Sequence, residues 1–286
     1  MDTKDWMRLL PDEDFRPRMG LRSGDAHRFF RTSTESLLRM RREALDRTPE
    51  KYSAATEESL RWVIEAVTQM VGWADSLQTT DFPSDVLALC HWAGRRIEAD
   101  WVLLSPDATQ HHPVSAGVVC FPSSWSLPAK LGLPISAVHE PVPSLNQRLG
   151  NSIDSFLARL EPNAAWERDN WGLCSSPQLD QHPDNASSSL LSTATLSTTW
   201  LRWEHQLLIR LPETGAILFG IRVTTHRFNE LIETPDIAER LTRALRTMPD
   251  TMATYKGLSQ CRFNLIDQME QESQRAAGKS HTQSPL

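Results

Sequence analysis

The fold is decided by the stretch Leu201-Arg-Trp-Glu-His205-Gln-Leu-Leu-Ile-Arg210-Leu-Pro-Glu-Thr-Gly215-Ala-Ile-Leu-Phe-Gly220-Ile-Arg222-Val. Two runs rich in aliphatic residues flank the link Pro212-Glu-Thr-Gly215, and such a link between two β-prone runs is typical of a hairpin. Because successive side chains of a strand point to opposite sides, the first run has two distinct faces. One face carries Leu201, Trp203, His205, Leu207, Ile209 and Leu211, and the other carries Arg202, Glu204, Gln206, Leu208 and Arg210.

The second run of the hairpin holds a single charged residue in an otherwise apolar sequence. A strand that is apolar nearly throughout is expected to be covered on both faces. Arg222 stands in that run, and a buried guanidinium that lacks an anionic partner is strongly destabilising. Glu204 on the paired strand, or a carboxylate of a ligand, could be that partner. The hairpin therefore predicts either an internal ion pair or an anion-binding site.

The rest of the chain predicts helices and short strands around this hairpin. Apolar residues recur at helical spacing over residues 33–46, 50–73, 145–160 and 235–245, and strand patterns cover residues 99–104, 114–121 and 165–174. Residues 126–132 are predicted as a short helical turn and residues 175–198 as a mostly exposed loop. The polar tail from Gln271 onward is predicted to be disordered.

This order of elements is similar to that of PAS-type domains, in which a small sheet and a helix clasp a ligand between them. We therefore expect an α+β fold with a PAS-like antiparallel sheet and a ligand-clasping helix, flanked by N-terminal and C-terminal helices. Residues 1–80 are predicted as an N-terminal helical segment that packs on the core, residues 81–260 as the PAS-like domain, and residues 261–286 as a partly disordered tail.

Composition excludes several classes of partner. The 286 residues carry a net charge of -6, so there is no basic surface for nucleic acid. No stretch approaches the roughly 20 apolar residues that span a bilayer, and the N-terminus lacks the apolar region of a secretory signal. We therefore expect a cytoplasmic protein. The four cysteines are scattered, which indicates neither a zinc site nor an iron–sulfur cluster.

His139 is the candidate metal ligand. It lies in Ile135-Ser-Ala-Val-His139-Glu-Pro141-Val-Pro143, where the two prolines prevent a helix from continuing past it. A side chain at such a stop is aimed in one direction, which suits a ligand. Spacing alone favours the other interpretation, a histidine that caps a carbonyl in a tight turn.

A second candidate surface lies on the strand predicted over residues 165–174. Arg168, Asn170 and Gly172 share one face of that strand. A glycine there lets another backbone or a flat ligand approach closely. The alternative is the ordinary polarity of an edge strand.

These residues and the segments around them resemble a known family, the catalytic, haem-binding subunit of haem-dependent oxidative N-demethylases. The resemblance extends over about residues 17 to 260. Its motifs are Met19-Gly-Leu21, Cys120-Phe-Pro-Ser-Ser-Trp125-Ser-Leu-Pro-Ala-Lys130-Leu-Gly, Ile135–Pro143, Asn170-Trp171, Arg202–Pro212, Thr214–Arg222, Leu245-Arg-Thr-Met-Pro and Tyr255-Lys-Gly-Leu.

The resemblance implies a cofactor and a set of residues that hold it. The cofactor is haem b, with electrons from NADPH through separate flavin or iron–sulfur reductase subunits, since this chain has no dinucleotide-binding motif and no cysteine cluster. His139 would be the proximal iron ligand, and Arg210 and Arg222 would hold the haem propionates. Trp171 would contact the cofactor. The central region would then be a haem-binding catalytic domain.

The resemblance also implies the reaction, an O2-dependent monooxygenation that removes an N-methyl group from a small secondary amine, such as dimethylamine, as formaldehyde. Glu204 would face the protonated amine, with Gln206 and Asn170 as hydrogen-bond partners on the oxygen side. Two features depart from the family pattern: Val223-Thr-Thr-His226 after Arg222, and the long insertion at 175–198. If they border the pocket, the substrate differs. The alternatives are a haem-binding PAS sensor and a non-catalytic interaction protein.

Overall fold

The computed structural model describes residues 3–31, 34–74, 81–185 and 189–281. Within them the chain forms an α+β fold around one antiparallel sheet of seven strands in the order β1-β5-β6-β7-β3-β4-β2. The strands are β1 Arg22–Ser23, β2 Ser53–Ala55, β3 Asp100–Leu104, β4 Val114–Val118, β5 Trp166–Cys174, β6 Trp200–Arg210 and β7 Ile217–Arg227. The predicted fold class is confirmed to that extent, and the PAS-like character of the sheet stays a prediction.

Twelve helices surround the sheet in the described residues. They are α1 Thr3–Leu9, α2 Ala26–Phe30, α3 Glu35–Arg47, α4 Pro49–Tyr52, α5 Leu60–Trp73, α6 Val86–Gly94, α7 Ile135–His139, α8 Leu145–Arg159, α9 Phe228–Leu231, α10 Pro235–Thr247, α11 Asp250–Tyr255 and α12 Arg262–His281. The predicted helices at 145–160 and 235–245 are therefore confirmed as α8 and α10, each within about two residues of its bounds.

The predicted hairpin is confirmed as β6 and β7, whose register fixes the faces of the sheet. Glu204 pairs with Val223, and His205 pairs with Arg222. Paired residues of an antiparallel ladder project to the same side, so Glu204 and Arg222 lie on opposite faces. Glu204 is therefore not the partner of Arg222, and that expectation was wrong.

The back of the sheet, as we call the face that carries His205 and Arg222, holds the larger core. Side chains of β3, β4, β6 and β7 pack there against α2, α5 and α6, in a cluster that includes Phe29, Phe30, Val67, Leu89, Trp101 and Leu207. Arg222 is held in this layer: Nη1 donates to Glu98 Oε2 at 3.0 Å, and the remaining donors bind the carbonyls of Phe29 and Arg31. Its anionic partner is thus part of the chain.

The front of the sheet, the face that carries Glu204, is covered by α7 and α8. Ile217, Val102 and Leu104 meet Leu157 and Leu160 of this layer in a smaller core. A third core joins the far end of β5 and β6 to α1 and α9–α12. Because α8 contacts only part of the front face, the three layers leave a space between the middle of the sheet, α7–α8 and α11.

Several predicted elements differ from the structure. The helix expected over residues 50–73 is interrupted by β2, which pairs with β4 at the sheet edge. The tail expected to be disordered from Gln271 continues as α12 to His281. Residues 189–198 of the expected exposed loop bury Leu190 and Leu196 against α12, and Asn264 donates to the Ala194 carbonyl. The division at residues 80 and 260 stays a prediction, although β1, β2 and β5 belong to the same sheet.

Candidate functional site

The space in front of the sheet is a cavity of about 600 Å³. Its volume falls in the range of small-molecule and cofactor sites. The apolar part of its wall comes from β6, β7 and α8, and it includes Leu208, Phe219, Ile221, Leu149, Ile153 and Phe156. Polar side chains from β5, β6 and the end of α11 lie together in one part of the wall, and others come from residues 13–18, residues 123–130 and His139. We call the part around β5, β6 and Lys256 the charged end of the cavity, and the part lined by β7 and α8 its apolar end.

His139 lies in the cavity wall at the last residue of α7. The helix ends there because Pro141 and Pro143 follow, as the sequence predicts. Nδ1 of His139 is buried and has no hydrogen-bond partner among the described residues. Burial, with Arg168 acting in the same direction, lowers the pKa of His139 to about 4. The imidazole is therefore neutral near pH 7, and the neutral ring is the form that coordinates metals.

Arg168 is the arginine that the sheet contributes to the cavity wall, which Arg16 and Arg18 also line. It stands on the front face of β5 opposite Gln206, and its buried Nε has no partner among the described residues. Burial lowers its pKa, with Glu204 and Asp169 opposing the shift. A desolvated, unpaired guanidinium is costly, so this residue is ready for an anionic ligand. The sequence placed Arg168 on the correct face with Asn170 but gave it no role.

Lys256 is a second cation at the charged end. Nζ donates to the Trp171 carbonyl at 2.6 Å, and burial lowers the pKa of Lys256 to about 8, with Glu204 opposing the shift. The neighbouring Tyr255 also lines the cavity, and partial burial and Glu204 raise its pKa. Both residues lie at the C-terminal end of α11. No local sequence pattern predicts that this helix contacts the sheet.

Glu204 lies on the front face of β6 and lines the cavity, and hydrogen-bond donors surround its carboxylate. Oε1 accepts from the Ser123 hydroxyl, and Oε2 accepts from Gln206 Nε2 at 2.8 Å and from Asn170 Nδ2 at 3.4 Å. The three predicted catalytic residues are thus brought together. Oε1 of Gln206 is buried without a partner among the described residues. The cluster therefore offers acceptor atoms to a ligand that carries N–H groups.

An N-terminal strap, residues 10–21, forms another wall of the cavity. It is fastened to α10: Arg243 pairs with Asp12 and Asp14 at 3.0 Å each, and Phe15 N donates to Thr247 Oγ1. The Phe15 ring packs edge-on against Trp171. The strap shields the charged end of the cavity from solvent, a role that no motif in its irregular sequence predicts.

Three residues predicted to bind the cofactor have other surroundings. All three guanidinium nitrogens of Arg210 donate to carbonyls, those of Leu160, Gly215 and Leu157, and the residue does not line the cavity. Arg222 lies behind the sheet. Trp171 borders the cavity, but its ring packs in the core around α1 and α10–α12.

Where the structure describes them, the two departures from the family pattern do not border the cavity. None of the described residues of 175–198 or 223–227 lines it. His226 instead packs edge-on against Trp6 on the back of the sheet. In the described residues the two differences therefore contribute to the packing around the sheet and α12 and not to the cavity wall.

A family comparison agrees with this geometry. The family model for "Haem-dependent oxidative N-demethylase, alpha subunit-like" matches residues 28–266, which is most of the chain. The chain belongs to this family. The match includes His139, Arg168, Glu204 and Lys256, and the strap precedes it. In the described residues there is no helix long and apolar enough to cross a membrane. There is also no group of three histidine, cysteine or carboxylate side chains there that could together hold a metal ion.

Proposed function

We propose that the chain is the catalytic subunit of a haem-dependent oxidative N-demethylase that uses haem b and O2. Its substrate is a small secondary methylated amine of the dimethylamine type, and the methyl group leaves as formaldehyde. One observation carries the proposal. The same cavity is lined by His139 and Arg168, and Nδ1 of the first and Nε of the second are buried without a hydrogen-bond partner among the described residues. The family to which the chain belongs supports it.

The residues of the cavity fit a haem. An iron porphyrin needs a neutral imidazole, flat apolar walls and cations for its propionates. His139 would supply the first, Phe219 and Ile153 are among the apolar walls, and Arg168 would hold a propionate. Arg210 and Arg222 were predicted for that last role. In this proposal it passes to Arg168, because Arg168 lines the cavity and its buried Nε lacks a partner among the described residues.

The chain's own residues would bind and orient the amine. A bound haem would supply oxygen activation, which no amino-acid side chain provides. Glu204 and the free Oε1 of Gln206 accept the N–H groups of the substrate and so hold its methyl groups toward the apolar end. The N-terminal strap would exclude bulk water from the charged end, and exclusion of water strengthens each of these polar contacts.

The electrons would come from a partner. We infer a separate reductase with flavin or iron–sulfur groups that draws on NADPH, because the cysteines of this chain are buried and far apart in sequence. The description of the family as an alpha subunit also supports an assembly with other subunits.

An absorption spectrum of the protein, produced with added haem precursor, tests the proposal. We expect a Soret band that shifts on reduction with dithionite, and we expect His139→Ala to lose the haem. A reduced, aerobic sample should release formaldehyde from dimethylamine. A colourless wild-type preparation would refute the haem site. Haem without formaldehyde release would favour a sensor, and an unchanged spectrum in His139→Ala would move the iron ligand elsewhere.

A further inference from the structure

The segment Cys120–Ser123 follows β4 and belongs to no helix or strand. Two buried charged residues, Asp100 and Arg202, nevertheless hold it in place. Asp100 Oδ1 accepts from Cys120 N at 2.7 Å and Oδ2 accepts from Phe121 N at 2.9 Å. Arg41, which is fully buried, forms an ion pair with the same carboxylate. The backbone of this segment is therefore fixed from the side of its N–H groups.

Arg202 fixes the same segment from the side of its carbonyls. It is 4% exposed, and Nη2 donates to Phe121 O at 2.7 Å and to Pro122 O at 3.2 Å. Nε donates to the Ser123 hydroxyl oxygen at 2.7 Å. Arg202 has no carboxylate bonded to it here, so its charge acts through these oxygen atoms. Nη1 donates to Gln178 O at 3.4 Å. A buried arginine that binds one serine and three carbonyls holds that serine in place.

The hydroxyl of Ser123 is directed by this contact. A serine hydroxyl has one proton, and an arginine cannot accept it because arginine stays protonated in proteins. The proton of Ser123 therefore points to the other neighbour, Oε1 of Glu204. An arginine, a serine and a carboxylate thus form a chain in which every proton points toward Glu204.

The same chain sets the orientation of Gln206. Since Glu204 only accepts, Gln206 must turn its NH2 group toward it, and Oε1 of Gln206 is left free and buried. A carboxylate has about four lone-pair sites, and Ser123, Gln206 and Asn170 occupy three. Acceptor capacity therefore remains on two side chains, at one lone pair of Glu204 and at Oε1 of Gln206. A secondary ammonium ion carries two N–H groups.

We propose that Ser123, held by Arg202, is a positioning residue that prepares the acceptor pair of Glu204 and Gln206 for an amine with two N–H groups. This rests on the proposed function for the identity of the amine. Two cations also face Glu204, but Lys256 donates to the Trp171 carbonyl and Arg168 is assigned to an anionic group of the cofactor. Neither closes the acceptor pair.

A double-mutant cycle on the haem-loaded protein tests the proposal, with dimethylammonium chloride as the probe and calorimetry as the measurement. Ser123→Ala should weaken binding roughly tenfold, the factor expected for one hydrogen bond to a charged group. Ser123→Thr, which retains the hydroxyl, should restore it. In a Glu204→Gln background, Ser123→Ala should add less than about a twofold loss, because residues that act through each other are not additive. Trimethylammonium, with one N–H group, should bind more weakly than the probe and respond less to Ser123→Ala.

The matched control is Ser115→Ala, which removes a buried serine hydroxyl on β4 that binds a carbonyl and does not line the cavity. It should leave the affinity for dimethylammonium unchanged. Additive losses, no rescue by threonine or no binding by the wild type would overturn the proposal. Haem content and formaldehyde release are measured on the same samples. If the protein retains activity but the affinity losses of Ser123→Ala and Glu204→Gln are additive, only the role of Ser123 is refuted. If the protein lacks haem but the two losses are non-additive in the haem-free protein, only the haem function is refuted.

Discussion

Replacing Arg168 by leucine should stabilise the haem-free protein, the opposite of what most substitutions do. In the free protein, Nε of Arg168 is buried without a partner, and a buried donor in that state costs about 1–3 kcal/mol. Leucine preserves part of the apolar contact made by the arginine stem. We therefore expect the free energy of unfolding of the haem-free Arg168→Leu protein to rise by about 1 kcal/mol.

The same substitution should weaken haem binding. A charge-assisted contact between guanidinium and propionate contributes about 1.5–3 kcal/mol, which corresponds to roughly a 10- to 100-fold increase in the dissociation constant. Urea unfolding of the haem-free protein gives the first quantity, and titration with haem followed at the Soret band gives the second. Arg168→Lys keeps the charge and should lie between the wild type and the leucine variant.

Arg210→Leu is the matched control, since sequence reasoning assigned the propionate to that residue. Its three carbonyl partners would lose their donors, so we expect a loss of about 2–4 kcal/mol of stability with an unchanged haem affinity of the folded protein. The reasoning fails if Arg168→Leu is destabilising and binds haem normally. It also fails if Arg210→Leu weakens haem binding as much as Arg168→Leu does.

Three further predictions concern stability and access. Asp100→Asn leaves Arg41 as an uncompensated buried charge and should cost about 3–5 kcal/mol in urea unfolding; a loss below 1 kcal/mol would contradict the clamp. Burial alone would raise the pKa of Glu167, but hydrogen bonds from His205 and a backbone N–H hold that pKa at about 2. A carboxyl group with a depressed pKa stabilises the folded state at pH values above its unfolded pKa of about 4.3. The free energy of unfolding should therefore fall by about 1–2 kcal/mol, a figure reduced for partial exposure, as the pH falls from there toward 2. Glu167→Gln should lack this stabilisation at pH 7 and converge on the wild type in acid, and a constant difference would refute the assignment. Leu149→Trp fills the apolar end of the cavity and should block haem uptake, seen as a lost Soret band, at a cost below about 1.5 kcal/mol.

Local patterns were sufficient for the elements that alternate or repeat. The β6–β7 hairpin, α8 and α10 have strong periodicity, and the proline stop after His139 ended α7 where expected. Strand β2 was missed because three residues, Ser53-Ala-Ala, carry no alternation and lie inside the helix predicted over residues 50–73. The tail forms a helix as far as His281, because glutamine, glutamate and arginine suit a solvated helix as well as a disordered segment.

The candidate site needed contacts that the sequence does not contain. The resemblance grouped Glu204, Gln206 and Asn170, and the structure brings them together because they share one face of adjacent strands. Arg222 was misplaced because the face it occupies depends on the register of the hairpin, which sets it opposite His205. The strap and Lys256 come from distant parts of the chain, and long-range packing of that kind leaves no local signal.

The distance along the chain between the walls of the cavity also limits when a ligand can enter it. The strap lies before residue 22, whereas its partners on α10 are residues 243 and 247, and the cavity residues at the end of α11 are 255 and 256. A ribosome-bound chain that has emerged only as far as β7 has no closed compartment. Insertion of a prosthetic group must therefore follow translation of almost the whole chain, and a truncated product that lacks α10 and α11 should remain in the apo form.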